Sequence, residues 1–179
     1  MDIYQIFPDK GFVMSSVKHP YFGTLNSLNS HGPDVVWEGK IAINNTETDA
    51  MVWIEGNTSF QMAQLDAFAA LLTNISSVDA RARIQLCNHL TKDDPHYLEY
   101  HVNELAESPV IAELIRASAE GIPSADAFVQ KMRLHNIGLW HGHKTPLILD
   151  YMIDSDYSDQ ILAVGISLDG EAIDVSWES

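Results

Sequence analysis

The stretch PLILDYMIDSDYSDQILAVGISLDGEAIDVSWE, residues 146–178, predicts three consecutive strands separated by two turns. The segments 146–153, 160–168 and 171–178 are rich in β-branched and aromatic residues, which is typical of strands. Asp169 and Gly170 form a dipeptide typical of a tight hairpin turn. With residues 134–140, LHNIGLW, as a further strand candidate, this part of the chain predicts a three- or four-stranded antiparallel meander.

Strands are also predicted before the middle of the chain, and helices in between. Residues 35–43 and 50–56 read as hairpin partners on either side of the turn NNTETD. Helical spacing then runs over about 58–132 and indicates about four helices, the first opening on a capping box of Thr58 and Gln61. We therefore expect one α+β domain over residues 1–179. A single antiparallel sheet of N- and C-terminal strands, with the helices packed on one face, is simpler than two separate sheets.

The charge balance limits the classes of partner. Among 179 residues, 25 Asp and Glu face 10 Lys and Arg, giving a net charge of −15. Such a surface repels nucleic-acid phosphates and anionic lipid, so we expect neither a nucleic acid nor a membrane as partner. A basic protein partner, or none, fits better, and solubility alone is the simpler explanation of the charge. The N-terminus carries no basic leader and no apolar run approaches a membrane span, so a cytoplasmic location is predicted.

Two segments contain residue types that bind metals. The turn at 153–160 holds Asp154, Asp156 and Asp159, but an EF-hand loop would need glycine at Asp159 and glutamate at Gly165. Aspartate and serine also favour turns by bonding nearby backbone N–H groups, so a structural turn is the simpler interpretation. In the second segment, His141 and His143 would share one face of a strand, and a carboxylate from the aspartate turn could complete a metal site. Solvated loop histidines are the alternative.

No catalytic template is recognised in the sequence. It contains no glycine-rich phosphate loop, no GxSxG, no HExxH and no CxxC, so we predict no catalytic residues and no cofactor. The single cysteine, Cys87, lies in a predicted helix and reads as a buried structural thiol. The tryptophans are expected in the core, whereas an exposed one would indicate an interface anchor; they are Trp37, Trp53, Trp140 and Trp177.

Four segments together resemble an uncharacterised bacterial family of unknown function. They are HPYFGTL (19–25), VWIEG (52–56), LDAFAALLTNI (65–75) and SDQILAVGISLDGEAIDVSWES (158–179). The resemblance implies no activity and no catalytic residues. Small acidic domains of this kind are similar to immunity proteins, which neutralise toxins delivered between competing bacteria.

The sequence thus favours a non-enzymatic, acidic protein-binding module of immunity-like type. The alternative is a metal-dependent enzyme that uses His141, His143 and the aspartates of the 154–159 turn. A third interpretation is a module that self-associates through a sheet edge or exposed aromatic residues, with an oligomeric state that the sequence does not define.

Overall fold

The computed structural model describes residues 15–27, 32–55 and 58–179. The strands are β1 (Ser15–His19), β2 (Gly23–Ser27), β3 (Asp34–Ile43), β4 (Thr46–Ile54), β5 (Arg133–His141), β6 (Leu147–Met152), β7 (Ile161–Ile166) and β8 (Ala172–Glu178). The helices are α1 (Met62–Thr73), α2 (Ile75–Asn88), α3 (His96–Glu104), α4 (Pro109–Ala117) and α5 (Ala125–Lys131), with a π-helical turn at His89–Asp93 after α2. No helix within these ranges is long and apolar enough to cross a membrane.

Six strands form one sheet in the order β3-β4-β5-β6-β7-β8. The predicted α+β class and mostly antiparallel sheet are confirmed, and β5 to β8 form the predicted meander. The prediction of a wholly antiparallel sheet is wrong at one pair, because β4 and β5 run parallel. Every α-helix lies in the connection between these two strands, and a parallel pair requires a long crossover of this kind.

The helices cover one face of the sheet. Along β4, Ala50, Val52 and Ile54 are buried while Asp49, Met51 and Trp53 are exposed or half-buried, so alternate side chains separate the two faces. The buried set packs against apolar residues of α1 and α2 in a common core; they include Leu65, Phe68, Leu72, Val78, Ala82 and Leu86. The opposite face of the sheet is left without a covering helix among the described residues.

The strands β1 and β2 form a separate two-stranded hairpin that sequence patterning did not predict. The Phe22 ring packs edge-on against Trp37, with centroids 5.1 Å apart. His19 Nδ1 accepts hydrogen bonds from the backbone N–H groups of Tyr21 and Phe22. The ring proton is therefore on Nε2, which donates to Asp66 Oδ1 at 3.1 Å and ties the hairpin to α1.

The starts of α4 and α1 are fixed in different ways. Ser108 caps α4 by accepting a hydrogen bond from Ile111 N, with Pro109 at the first helical position, as the sequence indicates. The capping box of Thr58 and Gln61 is wrong: Gln61 itself is the N-cap of α1 and makes no side-chain cap. The backbone N–H of Gln61 instead donates to His141 Nε2 at 2.9 Å, so a contact with β5 fixes this helix start.

A buried polar triad joins α2 to the sheet. The Tyr151 hydroxyl on β6 donates to Asp79 Oδ1 at 2.7 Å, and Arg83 Nε lies 2.9 Å from Asp79 Oδ2. Arg83 Nη1 also donates to the carbonyls of Val129 and Met132 at the end of α5. One arginine thus neutralises a buried carboxylate and satisfies carbonyl groups at a helix C-terminus, where positive charge is favourable.

Candidate protein-binding surface

The strand register defines the uncovered surface, here called the open face. Paired residues point to the same side of a sheet, so each strand contributes alternate positions to the open face. Its members are Val35, Glu38, Lys40, Ala42, Glu47, Asp49, Met51, Trp53, Arg133, Asn136, Gly138, Trp140, Ile148, Asp150, Met152, Ile161, Ala163, Gly165, Asp174, Ser176 and Glu178.

Two stacked tryptophans lie near the C-terminal ends of β4 and β5 on this surface. Trp53 on β4 and Trp140 on β5 are directly paired in the parallel ladder, and their rings lie 5.2 Å apart at an angle of 11°. Both are half-buried. A Cβ at Gly138 would lie 3.0 Å from Trp140 Nε1, so the absence of a side chain there lets the indole lie down on the sheet.

Apolar side chains extend the tryptophan stack. Met51 and Ile148 flank Gly138 in the neighbouring row of the ladder, and both are half-buried. The prediction that all four tryptophans lie in the core is therefore wrong for Trp53 and Trp140. Trp37 and Trp177 do pack against the core from the other face.

Acidic residues occupy the rows of the open face beside the tryptophan stack. The open face carries six carboxyl groups, one lysine and one arginine, and Lys40 Nζ lies 3.5 Å from Asp49. The six carboxyl groups belong to Glu38, Glu47, Asp49, Asp150, Asp174 and Glu178. Since six carboxylates face two cationic side chains, this surface attracts cations and repels anions.

Asp150 is the half-buried member of this acidic set. Burial raises the pKa of its carboxyl group, a hydrogen bond from Asn136 Nδ2 at 3.1 Å works in the opposite direction, and the charge of Glu178 raises it further. An ionised carboxylate at this position is incompletely compensated, so an approaching cationic group would stabilise it.

The structure places His141 and His143 apart. His141 is fully buried on the helix side of β5, where its ring packs edge-on against Phe60. Burial lowers its pKa, and Nδ1 has no hydrogen-bond partner within the described ranges. His143 is exposed, and its ring lies 6.3 Å from Trp140. β5 ends at His141 and Gly142 adopts φ +83°, so the strand alternation that would align the imidazoles stops there.

The aspartate turn is bound into the fold by its own side chains. Asp154 accepts hydrogen bonds from the Ser108 hydroxyl at 2.7 Å and from the backbone N–H of Asp156. Asp159 accepts from the Gln160 side chain at 2.7 Å, and Asp156 is exposed. These bonds are those of a structural turn.

The two segments that the sequence predicted to form one metal site lie at opposite ends of β6. That strand has six residues, so about 20 Å separates the turn of His141 and His143 from the turn of Asp154, Asp156 and Asp159. Among residues 15–27, 32–55 and 58–179, no three His, Cys, Asp or Glu side chains are grouped closely enough to hold a metal ion. Cys87, half-buried on α2, has a pKa raised chiefly by burial.

Comparison with models of protein families, with curated proteins and with solved structures finds no match. The resemblances to an uncharacterised bacterial family and to immunity proteins therefore stay predictions. What the chain does must be inferred from the tryptophan stack and its acidic surroundings.

Proposed function

We propose that this chain is a protein-binding module whose open face docks onto a basic partner protein. The observation that carries the proposal is the stacked pair of Trp53 and Trp140, half-exposed on an acidic sheet surface near the C-terminal ends of β4 and β5. Neutralising a basic toxin is the biological role that the resemblance to immunity proteins suggests for such a module.

The composition of the open face matches the anatomy of protein interfaces. Binding energy concentrates in a few central residues, and tryptophan is the most enriched type among them. Charged groups at the rim act differently: they steer the encounter and select the partner by complementarity. On the open face, the stacked tryptophans supply the first contribution and the carboxylates supply the second.

The open face is smaller than the area that a stable interface buries on one partner. Six strands spaced about 4.8 Å apart, each presenting about 20 Å of length, give a flat area on the order of 500 Å². Stable interfaces bury about 800 Å² on each partner. The partner must therefore also reach the turns that border the open face, including the turn that carries His143.

Affinity capture with matched variants tests the proposal. The wild-type chain is immobilised in extract from its source organism, retained proteins are eluted with rising salt, and the retained protein is purified for calorimetry. We expect Trp140→Ala to weaken its binding by about 30-fold, since a central tryptophan is worth about 2 kcal/mol. Replacing Glu38 and Glu178 by lysine should weaken binding most at low salt.

A charge-matched variant controls for non-specific attraction. Glu104 and Glu107 are exposed on and after α3, away from the open face, and replacing both by lysine changes the net charge by the same amount. If the α3 variant loses as much affinity as the open-face variant, the loss is a general charge effect, and docking at the open face is refuted.

A further inference from the structure

A long groove lies beside the aspartate turn. Two depressions of about 490 Å³ and 530 Å³ share five lining residues and so form one continuous groove, here called the turn groove. The shared residues are His135, Met152, Ser155, Asp156 and Tyr157. Ser158 lines the depression of about 530 Å³ and Arg133 lines the depression of about 490 Å³.

Ser158 is hydrogen-bonded to a buried histidine. Its hydroxyl lies 3.2 Å from His101 Nε2, and His101 Nδ1 lies 2.7 Å from the carbonyl oxygen of Tyr97. A carbonyl oxygen only accepts, so the ring proton is on Nδ1. Nε2 therefore carries a lone pair, and the Ser158 hydroxyl donates to it.

The surroundings hold His101 in this state. Its side chain is fully buried between the rings of Tyr97 and Phe128, at centroid distances of 4.3 and 5.8 Å. Burial lowers its pKa, which favours the neutral imidazole. Its orientation is fixed by the carbonyl group, as a third group orients the base in nucleophile–base pairs.

Two backbone N–H groups complete the arrangement. Gln160 N donates to Ser158 Oγ at 3.1 Å, which fixes the oxygen at the groove. The N–H of Asp159 makes no hydrogen bond to any residue in the described part of the chain. The N–H that follows a nucleophilic serine is a common donor to the oxyanion of the tetrahedral intermediate.

We propose that Ser158 is a nucleophile activated by His101 and that the turn groove binds a carboxylic ester bearing a cationic group. The groove borders the open face and shares Glu47, Asp49, Arg133 and Met152 with it, whereas Ser158 and His101 lie outside that face. Catalysis at the groove and binding at the open face are separate properties that fail independently.

The proposed reaction is hydrolysis in two steps. Ser158 Oγ attacks the ester carbonyl while its proton passes to His101 Nε2, and the ester C–O bond then breaks as that proton moves to the leaving alcohol. Water next attacks the acyl-serine, with Nε2 taking the proton of water and returning it to Oγ. Ester and water thus become carboxylic acid and alcohol, and the serine is regenerated.

The charge of the groove selects the substrate. Five carboxyl groups line it against one arginine, so a cationic ester is favoured over a neutral or anionic one. They belong to Glu47, Asp49, Asp154, Asp156 and Asp159.

Covalent labelling tests the nucleophile directly. An alkyl fluorophosphonate forms a P–O bond to an activated serine, fluoride leaves, and His101 takes the serine proton. We expect the folded chain to be labelled at Ser158, as mapped by peptide mass spectrometry, with no labelling in Ser158→Ala and a rate reduced about 100-fold in His101→Asn. A probe carrying a trimethylammonium group should react about fivefold faster than a neutral one at low salt, with the difference lost at high salt.

The matched control is Ser76→Ala, because Ser76 is an exposed serine on α2 that does not line the turn groove. Its labelling should equal that of the wild type. Should His101→Asn fail to fold, the wild-type chain in denaturing urea replaces it, since activation requires the fold and labelling must then cease. An unlabelled wild type, labelling at Ser155, or equal labelling of folded and unfolded chains would overturn the proposal.

Discussion

Removing one hydroxyl group tests the buried triad that joins α2 to the sheet. In Tyr151→Phe, Asp79 Oδ1 loses the donor at 2.7 Å while the aromatic ring stays in the core. Asp79 is only 4% exposed, so water cannot replace that donor without opening the structure. The contact with Arg83 remains, and the carboxylate is left with one partner in place of two.

The other tyrosines allow the magnitude to be ranked. A hydrogen bond to a charged group contributes about 1.5–3 kcal/mol, so we expect Tyr151→Phe to lower the free energy of unfolding by about 2 kcal/mol. The Tyr97 hydroxyl donates to the carbonyl of Gln160 at 3.0 Å, a neutral bond worth about 1 kcal/mol. Tyr100 is 37% exposed and its hydroxyl has no partner in the described residues, so Tyr100→Phe should cost about zero.

Urea unfolding followed by tryptophan fluorescence measures this ranking. With a denaturant slope of about 2 kcal/mol per molar, the Tyr151→Phe midpoint should fall by about 1 M, and that of Tyr97→Phe by about half as much. A Tyr151→Phe variant as stable as Tyr100→Phe would refute the reasoning. So would a loss in Tyr97→Phe that exceeds the loss in Tyr151→Phe.

Three further predictions concern single positions. Burial raises the pKa of Asp150, so the ionised carboxylate destabilises the fold at neutral pH. Asp150→Asn should therefore raise the urea midpoint at neutral pH, and this increase should vanish as the pH falls through the raised pKa. Burial lowers the pKa of His141, so below about pH 6.5 the unfolded chain binds more protons and stability falls; urea titrations should show a weaker fall in His141→Gln. Gly170 and Gly121 both have positive φ, but a Cβ at residue 170 would lie 2.6 Å from the Arg81 guanidinium. Gly170→Ala should therefore lower the free energy of unfolding more than Gly121→Ala does, and thermal unfolding of the two variants checks this.

Local patterns predicted the strands of the C-terminal meander closely. Residues 160–168 were expected as a strand and the structure has Ile161–Ile166, because period-two alternation and the Asp169-Gly170 turn act over short distances. The parallel pairing of β4 with β5 could not be predicted in this way. Its direction depends on where a connection of nearly eighty residues returns the chain, which no local pattern encodes.

The same limit applies to the candidate sites. Alternation along β4 places Trp53 on one face of the sheet and Val52 and Ile54 on the other, but only the position of the helices decides which face is buried. Ser158 and His101 lie 57 residues apart in sequence, and a serine in an aspartate turn reads as a turn former until the fold brings the imidazole to it. The burial of a side chain and the contacts between residues far apart in sequence both depend on the tertiary fold.

The most direct test of the central claim is calorimetric binding of the retained basic protein to two charge-matched variants. One carries Glu38→Lys and Glu178→Lys on the open face, and the other carries Glu104→Lys and Glu107→Lys at α3. Docking at the open face predicts that the first variant binds at least tenfold more weakly than the second at low salt, and that Trp140→Ala loses affinity at every salt concentration. Equal affinities of the two charge variants, with Trp140→Ala binding as the wild type does, would contradict it.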